Sequence, residues 1–213
     1  YSSLESVNIL AWTTTPWTLP SNLALAVNNN LSYVLIVKNN KGYILGENAA
    51  SKYKDSIGEE IVATFTGEKL VGINFKPLME YFKHIKLEYK NCFTILHGDF
   101  VSNEGGTACV HLAPGFGEED FELCKKFDIP IKCPIDNGGN FTKEVYDLEG
   151  INVFKTIDTI IEKLKLNQNC IKIESYKHNY PHCWRTDKPI LYYPLDAWFI
   201  KTTALKDRMV ELN

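Results

Sequence analysis

Arginine is nearly missing from this sequence: apart from Arg185 and Arg208, every basic side chain is a lysine. A bidentate guanidinium grip on phosphates is therefore scarcely available, and phosphates would have to meet lysines and backbone amides. Lys and Arg number 23 against 26 Asp and Glu, a formal net charge of -3, which excludes a chain-wide basic clamp for nucleic acid and leaves only local RNA contacts. No apolar run approaches the roughly 18 residues of a membrane span, and no charged-then-apolar leader opens the chain, so a membrane role is excluded and a cytoplasmic protein is expected. Neither Gly-x-x-x-x-Gly-Lys-Ser/Thr nor Gly-x-Gly-x-x-Gly occurs, which argues against an ATPase and a dinucleotide enzyme. Cys-x-x-Cys and Gly-x-Ser-x-Gly are missing too. The six cysteines (Cys92, Cys109, Cys124, Cys133, Cys170 and Cys183) are scattered through a chain too large to need staples, and reduced thiols are expected. The chain starts at Tyr1 without a Met and enters an apolar stretch almost at once, as a piece excised from a longer protein would.

What is present is enough for a packed core: 213 residues, 45% of them hydrophobic, with no repeat, low-complexity tract or linker. One domain over residues 1–213 is expected. Segments rich in β-branched and aromatic residues predict strands at 7–14, 33–37, 43–45, 61–65, 92–96, 107–112, 129–135, 170–173 and 190–193. Turns rich in Asn and Gly separate several of them, at 28–30, 39–42, 103–106 and 136–139. Val153, Phe154, Ile157, Ile160, Ile161 and Leu164 fall at helical spacing and predict a helix lying on the sheet. Further helices are expected at 117–127, 49–53 and 203–212. Strands do not alternate strictly with helices, so the expected fold is β-rich α+β, a closed β-barrel core with peripheral helices.

Three segments could carry chemistry. In the first, Trp12-Thr13-Thr14-Thr15-Pro16-Trp17-Thr18-Leu19-Pro20-Ser21-Asn22, two prolines stop the ladder and leave hydroxyls and an amide facing something polar. A plain threonine-rich strand end with paired hydroxyls fits those residue types equally well. The second runs from Gly105 to Phe121. There a strand ends at His111, a Pro114-Gly115 turn follows, and Asp120 falls in the first turn of a helix, whose dipole is expected to keep it ionised and suited to an ammonium group. Simple balancing of that dipole by Glu118, Glu119 and Asp120 is the alternative. Cys109 and His111, two apart on a strand, raise a thiol–imidazole nucleophile, although a buried thiol usually behaves as a small hydrophobe. In the third, His178, His182 and Cys183 with Cys170 nearby have spacing reminiscent of zinc ligands, but no paired Cys-x-x-Cys accompanies them and a structural loop is expected.

Together, WTTTPWTLPSN at 12–22, GTACVHLAPGFGEEDF at 106–121 and YPHCWRTDKPI at 180–190 resemble the editing insertion of isoleucyl-tRNA synthetases, in the same order and over almost the whole chain. The related valyl and leucyl domains carry Thr-Thr-Arg-Pro where this chain has Thr14-Thr15-Pro16-Trp17. The resemblance implies a β-barrel domain, inserted in a larger synthetase, that hydrolyses valine wrongly esterified to isoleucine tRNA. The chemical need is discrimination by one methylene, limited to about 150-fold in the standard example, which is isoleucyl-tRNA synthetase itself. By the same resemblance Asp120 holds the substrate's α-ammonium and His111 walls the pocket. Thr13, Thr14, Thr15, Thr18, Trp17 and Asn22 bind the terminal adenosine and the attacking water, with Thr14 and Thr15 beside Asp120 and His111 in the catalytic set. No metal and no cofactor are implied, the partners being the tRNA acceptor end and the rest of the synthetase, with a monomeric chain. Residues Gly115, Phe116 and Glu118 depart from the bacterial pattern toward the eukaryotic cytosolic type. Hydrolysis of the aminoacyl-adenylate is a further possible activity, and a noncatalytic RNA-binding module that positions the acceptor end is the alternative.

Overall fold

The computed structural model describes residues 4–177 and 179–213. Its strands form two sheets. The first has four strands in the order β1 (Ser6–Ile9), β4 (Lys41–Gly46), β3 (Ser32–Lys38) and β5 (Ile61–Thr66). β3 is antiparallel to both β4 and β5, with Leu35 opposite Ile44 and Ala63, while β1 runs parallel to β4. The second sheet has β2 (Ala24–Val27) at its centre, parallel to β6 (Ile95–His97) and antiparallel to β7 (Val110–Leu112).

The expected closed barrel is corrected by this topology: the described residues make no continuous ladder around both sheets. Gly106 and Ala108 adopt left-handed φ values of 64° and 55°, which turn the chain out of extended geometry where β4 meets it. A backbone bond from the Gly46 N–H to the Thr107 carbonyl at 2.8 Å spans that corner without extending into a ladder, and the strand expected at 107–112 shrinks to β7. What closes the gap is packing. Leu25, Val27, Ile95 and Cys109 of one sheet face Tyr33 of the other, with Ile44 and Phe65 against them.

Other differences have local causes. Pro130 and Pro134 remove donors from the stretch expected as a strand at 129–135, which keeps one bridge, Ile135 to Phe141. Residues 170–173 and 190–193 form no strand, and the first expected strand ends at Ile9. β2 was absent from the expected set because a Leu-Ala-Leu-Ala-Val run buried on both faces lacks alternation. The helices agree better: α1 (Ala50–Ile57), α2 (Glu118–Lys126), α3 (Ile157–Leu166) and a short α4 (Lys206–Glu211). α1 packs Tyr53 and Ile57 on Val34, Ile36 and Leu45. α3 buries Ile160 and Leu164 against Trp17 and Leu19 of the 3-10 turn Pro16–Ser21, and so fixes the threonine segment from behind. No described residue after Leu164 is buried.

Tyr33 makes the polar tie between the sheets. Its ring is fully buried, its hydroxyl donates to the Ala108 carbonyl at 2.6 Å and accepts the Asn28 N–H at 3.1 Å, and burial pushes its pKa up to about 12. Tyr33→Phe leaves both backbone groups unsatisfied, so urea unfolding should show a loss of about 1–3 kcal/mol. An unchanged midpoint would mean that the hydroxyl contributes nothing to holding the sheets.

Candidate functional site

β7 carries His111 into register opposite Leu25 of β2, and the 3-10 turn Pro16–Ser21 leads into Asn22 just before β2, so the first two motifs converge. His111 Nε2 lies 2.9 Å from Thr18 Oγ1, and Nδ1 lies 3.5 Å from Asn22 Nδ2. Thr18 and Asn22 are buried, and their polar atoms point at the imidazole and at backbone carbonyls, Thr15 for the hydroxyl at 3.0 Å and Ala24 for the amide at 2.9 Å. Desolvation drives the His111 pKa down to about 4, so the ring is neutral near pH 7.

After Leu112 the chain turns at Pro114-Gly115 and enters α2. The Ala113 N–H donates to Asp120 Oδ2 at 2.8 Å, which brings the carboxylate back beside the end of β7. Gly117 permits this fold-back: a Cβ there would lie 3.0 Å from Asp120 Cγ. Asp120 ionises less readily than its place in the first turn of α2 alone implies, although it remains an anion near pH 7. Burial outweighs the Ala113 hydrogen bond and raises its pKa to about 6, with nearby Glu119 adding to the rise. No cationic side chain pairs with it among the described residues. Glu118 and Glu119 are exposed.

The three consecutive threonines form a half-buried rim. The Thr15 N–H donates to Thr13 Oγ1 at 3.0 Å, the two hydroxyls sit 3.5 Å apart, and Thr14 makes no side-chain hydrogen bond among the described residues. Trp17 belongs to the core, 4% exposed, with its ring edge-on to Phe116 at 4.9 Å and Phe154 at 6.1 Å. Its influence on the site runs through packing of the turn. The unusual Gly115-Phe116 pair is accounted for locally, because a Cβ at Gly115 would come within 2.4 Å of the Lys132 carbonyl oxygen while Phe116 completes the Trp17 contact. Two parts of the site had no signal in side-chain chemistry: the Ala113 amide and the Phe116 buttress. The Pro-Gly turn between them was the one available hint.

Cys109 does not form a dyad with His111. It is 2% exposed, its thiol is pushed up to about 12 by burial, and both imidazole nitrogens face Thr18 and Asn22. His182 and Cys183 sit in a tight hairpin in which the Cys183 N–H donates to the Lys188 carbonyl at 2.8 Å. No three His, Cys, Asp or Glu side chains among the described residues are placed to hold a metal ion; His178 lies outside them. An open cleft of about 260 Å³, lined by Trp12, Phe100, Gly106 and Thr107, adjoins the threonine segment. A second of about 270 Å³ lies between Phe121 and Tyr192. Neither includes His111 or Asp120 in its lining.

No family model matches the chain. An isoleucine–tRNA ligase of Rickettsia africae (strain ESF-5) is 51% identical over 214 residues, covering 99% of this chain and 19% of that protein. The ligase of Rickettsia bellii (strain OSU 85-389) is 49% identical over 215 residues, covering 100% and 19%. The chain belongs to the isoleucine–tRNA ligase family. It spans about a fifth of the length of these curated relatives. Both are bacterial and lend no support to the eukaryotic cytosolic type. Among solved structures, the P. knowlesi cytosolic leucyl-tRNA synthetase editing domain superposes with a TM-score of 0.57 at 15% identity, covering 91% of this chain and 85% of that one. The corresponding P. falciparum domain (space group P21) gives 0.54 at 13%, covering 76% and 77%. The chain thus shares the fold of these leucyl-tRNA synthetase editing domains. No helix among the described residues is long and apolar enough to cross a membrane.

Because burial raises the Asp120 pKa, the ionised form costs the fold stability above pH 6, and the cost vanishes once pH falls to the unfolded value near 4. Asp120→Asn, which keeps an acceptor for Ala113, should raise the urea midpoint at pH 7.5 and converge on wild type toward pH 4. A variant less stable by the same amount at every pH would show that the carboxylate is not desolvated.

Proposed function

We propose that this chain is the editing unit of its synthetase and hydrolyses the ester linking valine to isoleucine tRNA. The observation that carries the reading is the Asp120 carboxylate, held by the Ala113 amide and half-buried without a cationic partner among the described residues. A carboxylate so placed gains most from a ligand that brings a positive charge, and the α-ammonium of an aminoacyl ester is one. The family and the fold support the same reading. His111, neutral and two residues before Ala113, would wall the side-chain pocket, admitting valine and rejecting the extra methylene of isoleucine. Thr13, Thr14 and Thr15 would orient the attacking water and the ribose, and the Trp12 cleft beside them suits the flat base of the terminal adenosine. An aminoacyl ester is already activated, so positioning of water and the ribose hydroxyl could supply much of the acceleration without a protein nucleophile. The unit is proposed to work in the cytoplasm, without metal or cofactor, on the acceptor end presented by the rest of a monomeric synthetase.

In the whole ligase, Asp120→Ala should abolish deacylation of the valyl ester while the protein stays folded by circular dichroism. Wild-type turnover in that variant would defeat the assignment. Deacylation should also climb with pH through about 6, where the carboxylate forms, whereas His111 titrates near 4 and stays neutral across that window. His111→Ala should lower the preference for valyl over isoleucyl ester by about 10- to 200-fold, the worth of one methylene in a tight pocket. Loss of valyl activity with no gain on the isoleucyl ester would remove the sieve role. Binding of tRNA with no deacylation at all by wild type would favour the noncatalytic RNA-binding module.

A further inference from the structure

The donors and acceptors around His111 leave one consistent arrangement of protons, and it gives Thr18 and Asn22 a part other than substrate contact. Asn22 Nδ2 lies 2.9 Å from the Ala24 carbonyl oxygen, which can only accept, so this end of the amide is its NH2. The same nitrogen lies 3.5 Å from His111 Nδ1, which must then present its lone pair. A neutral ring with Nδ1 bare carries its hydrogen on Nε2 and donates it to Thr18 Oγ1 at 2.9 Å. Thr18 in turn sends its own hydrogen to the Thr15 carbonyl at 3.0 Å. In the other tautomer Thr18 could donate to Nε2, but an Nδ1–H would press on the Asn22 NH2, donor against donor, beside two buried side chains. The Asn22 amide therefore breaks the tie. Imidazolium formation meets the same conflict, in the direction of the depressed pKa of about 4.

We propose that Thr18 and Asn22 are positioning residues that hold His111 as the neutral Nε2–H imidazole with both nitrogens occupied, so that the ring acts as a fixed wall and not as a proton acceptor. Only the activity arm of the test rests on the editing reading. Long-range proton–nitrogen correlation spectra of the histidine side chains, assigned with His111→Gln, should show Nδ1 unprotonated and an exchange-protected proton on Nε2. Thr18→Ser should keep that protection and Thr18→Val should lose it. Asn22→Asp, whose carboxylate accepts but cannot donate, should move the proton to Nδ1 or charge the ring. An Nδ1–H or tautomer-averaged wild type, or a protected Nε2 proton surviving in Thr18→Val, would overturn the proposal even if Asn22→Asp fails to fold. In the whole ligase Thr18→Val should lower the valyl-over-isoleucyl preference by about tenfold, roughly one hydrogen bond's worth, with Thr18→Ser near wild type. The expected spectra from an enzyme that cleaves neither ester would sink the editing reading alone; normal editing with an Nδ1–H ring would sink this one alone.

Discussion

Two sheets that share no ladder must be held by what lies between them, and one fully buried tyrosine supplies the polar part of that contact. Tyr33 sits on β3, yet its hydroxyl satisfies the carbonyl of Ala108, two residues before β7, and the amide of Asn28, just after β2. Ala108 is left-handed, so its carbonyl points away from any strand partner and would otherwise be stranded in the interior. The apolar atoms around it do the bulk of the stabilising, but they are tolerant of small shifts. The hydrogen bonds fix where β7 begins, and β7 carries His111.

From that point the site is a matter of burial acting on two ionisable groups in opposite senses. Desolvation disfavours charge on both, so the acid is raised toward 6 and the imidazole lowered toward 4. The result near neutral pH is an anionic carboxylate and an uncharged ring. The carboxylate retains its negative charge because the Ala113 amide and its own backbone amide offset part of the cost of burial. The ring stays neutral because burial strips away the water that would stabilise a charge on it, and Thr18 and Asn22 lie against one nitrogen each.

Support for this arrangement comes from a layer away from the reacting groups. α3 presses on Trp17 and Leu19, Trp17 meets Phe116, and Phe116 lies in the loop that returns Asp120 to β7. One cluster thus backs both the threonine turn and the loop that leads into the acidic helix. Trp17, the most conspicuous residue of the first motif, is a strut whose contribution to the site is structural.

The sequence by itself determined the helices over 117–127 and 153–164, the strands β3, β4 and β5, and the two segments that hold the candidate residues, because each is written in local periodicity, turn chemistry or a long motif. Family membership was legible for the same reason, since order and spacing of three motifs need no coordinates. Only the tertiary structure decided the rest. The barrel gave way to two sheets because left-handed Ala108 interrupts a ladder that β-branched composition alone would have continued. β2 was invisible because a strand buried on both faces has no alternation to display. Asp120 read as a first-turn carboxylate suited to an ammonium group, but its environment depends on Gly117 and Ala113 folding it inward, which no spacing rule records. Thr18 and Asn22 read as polar groups turned toward a ligand. They turned inward to His111 because β2 and β7 pair side by side, a long-range contact that exists only once the chain has folded.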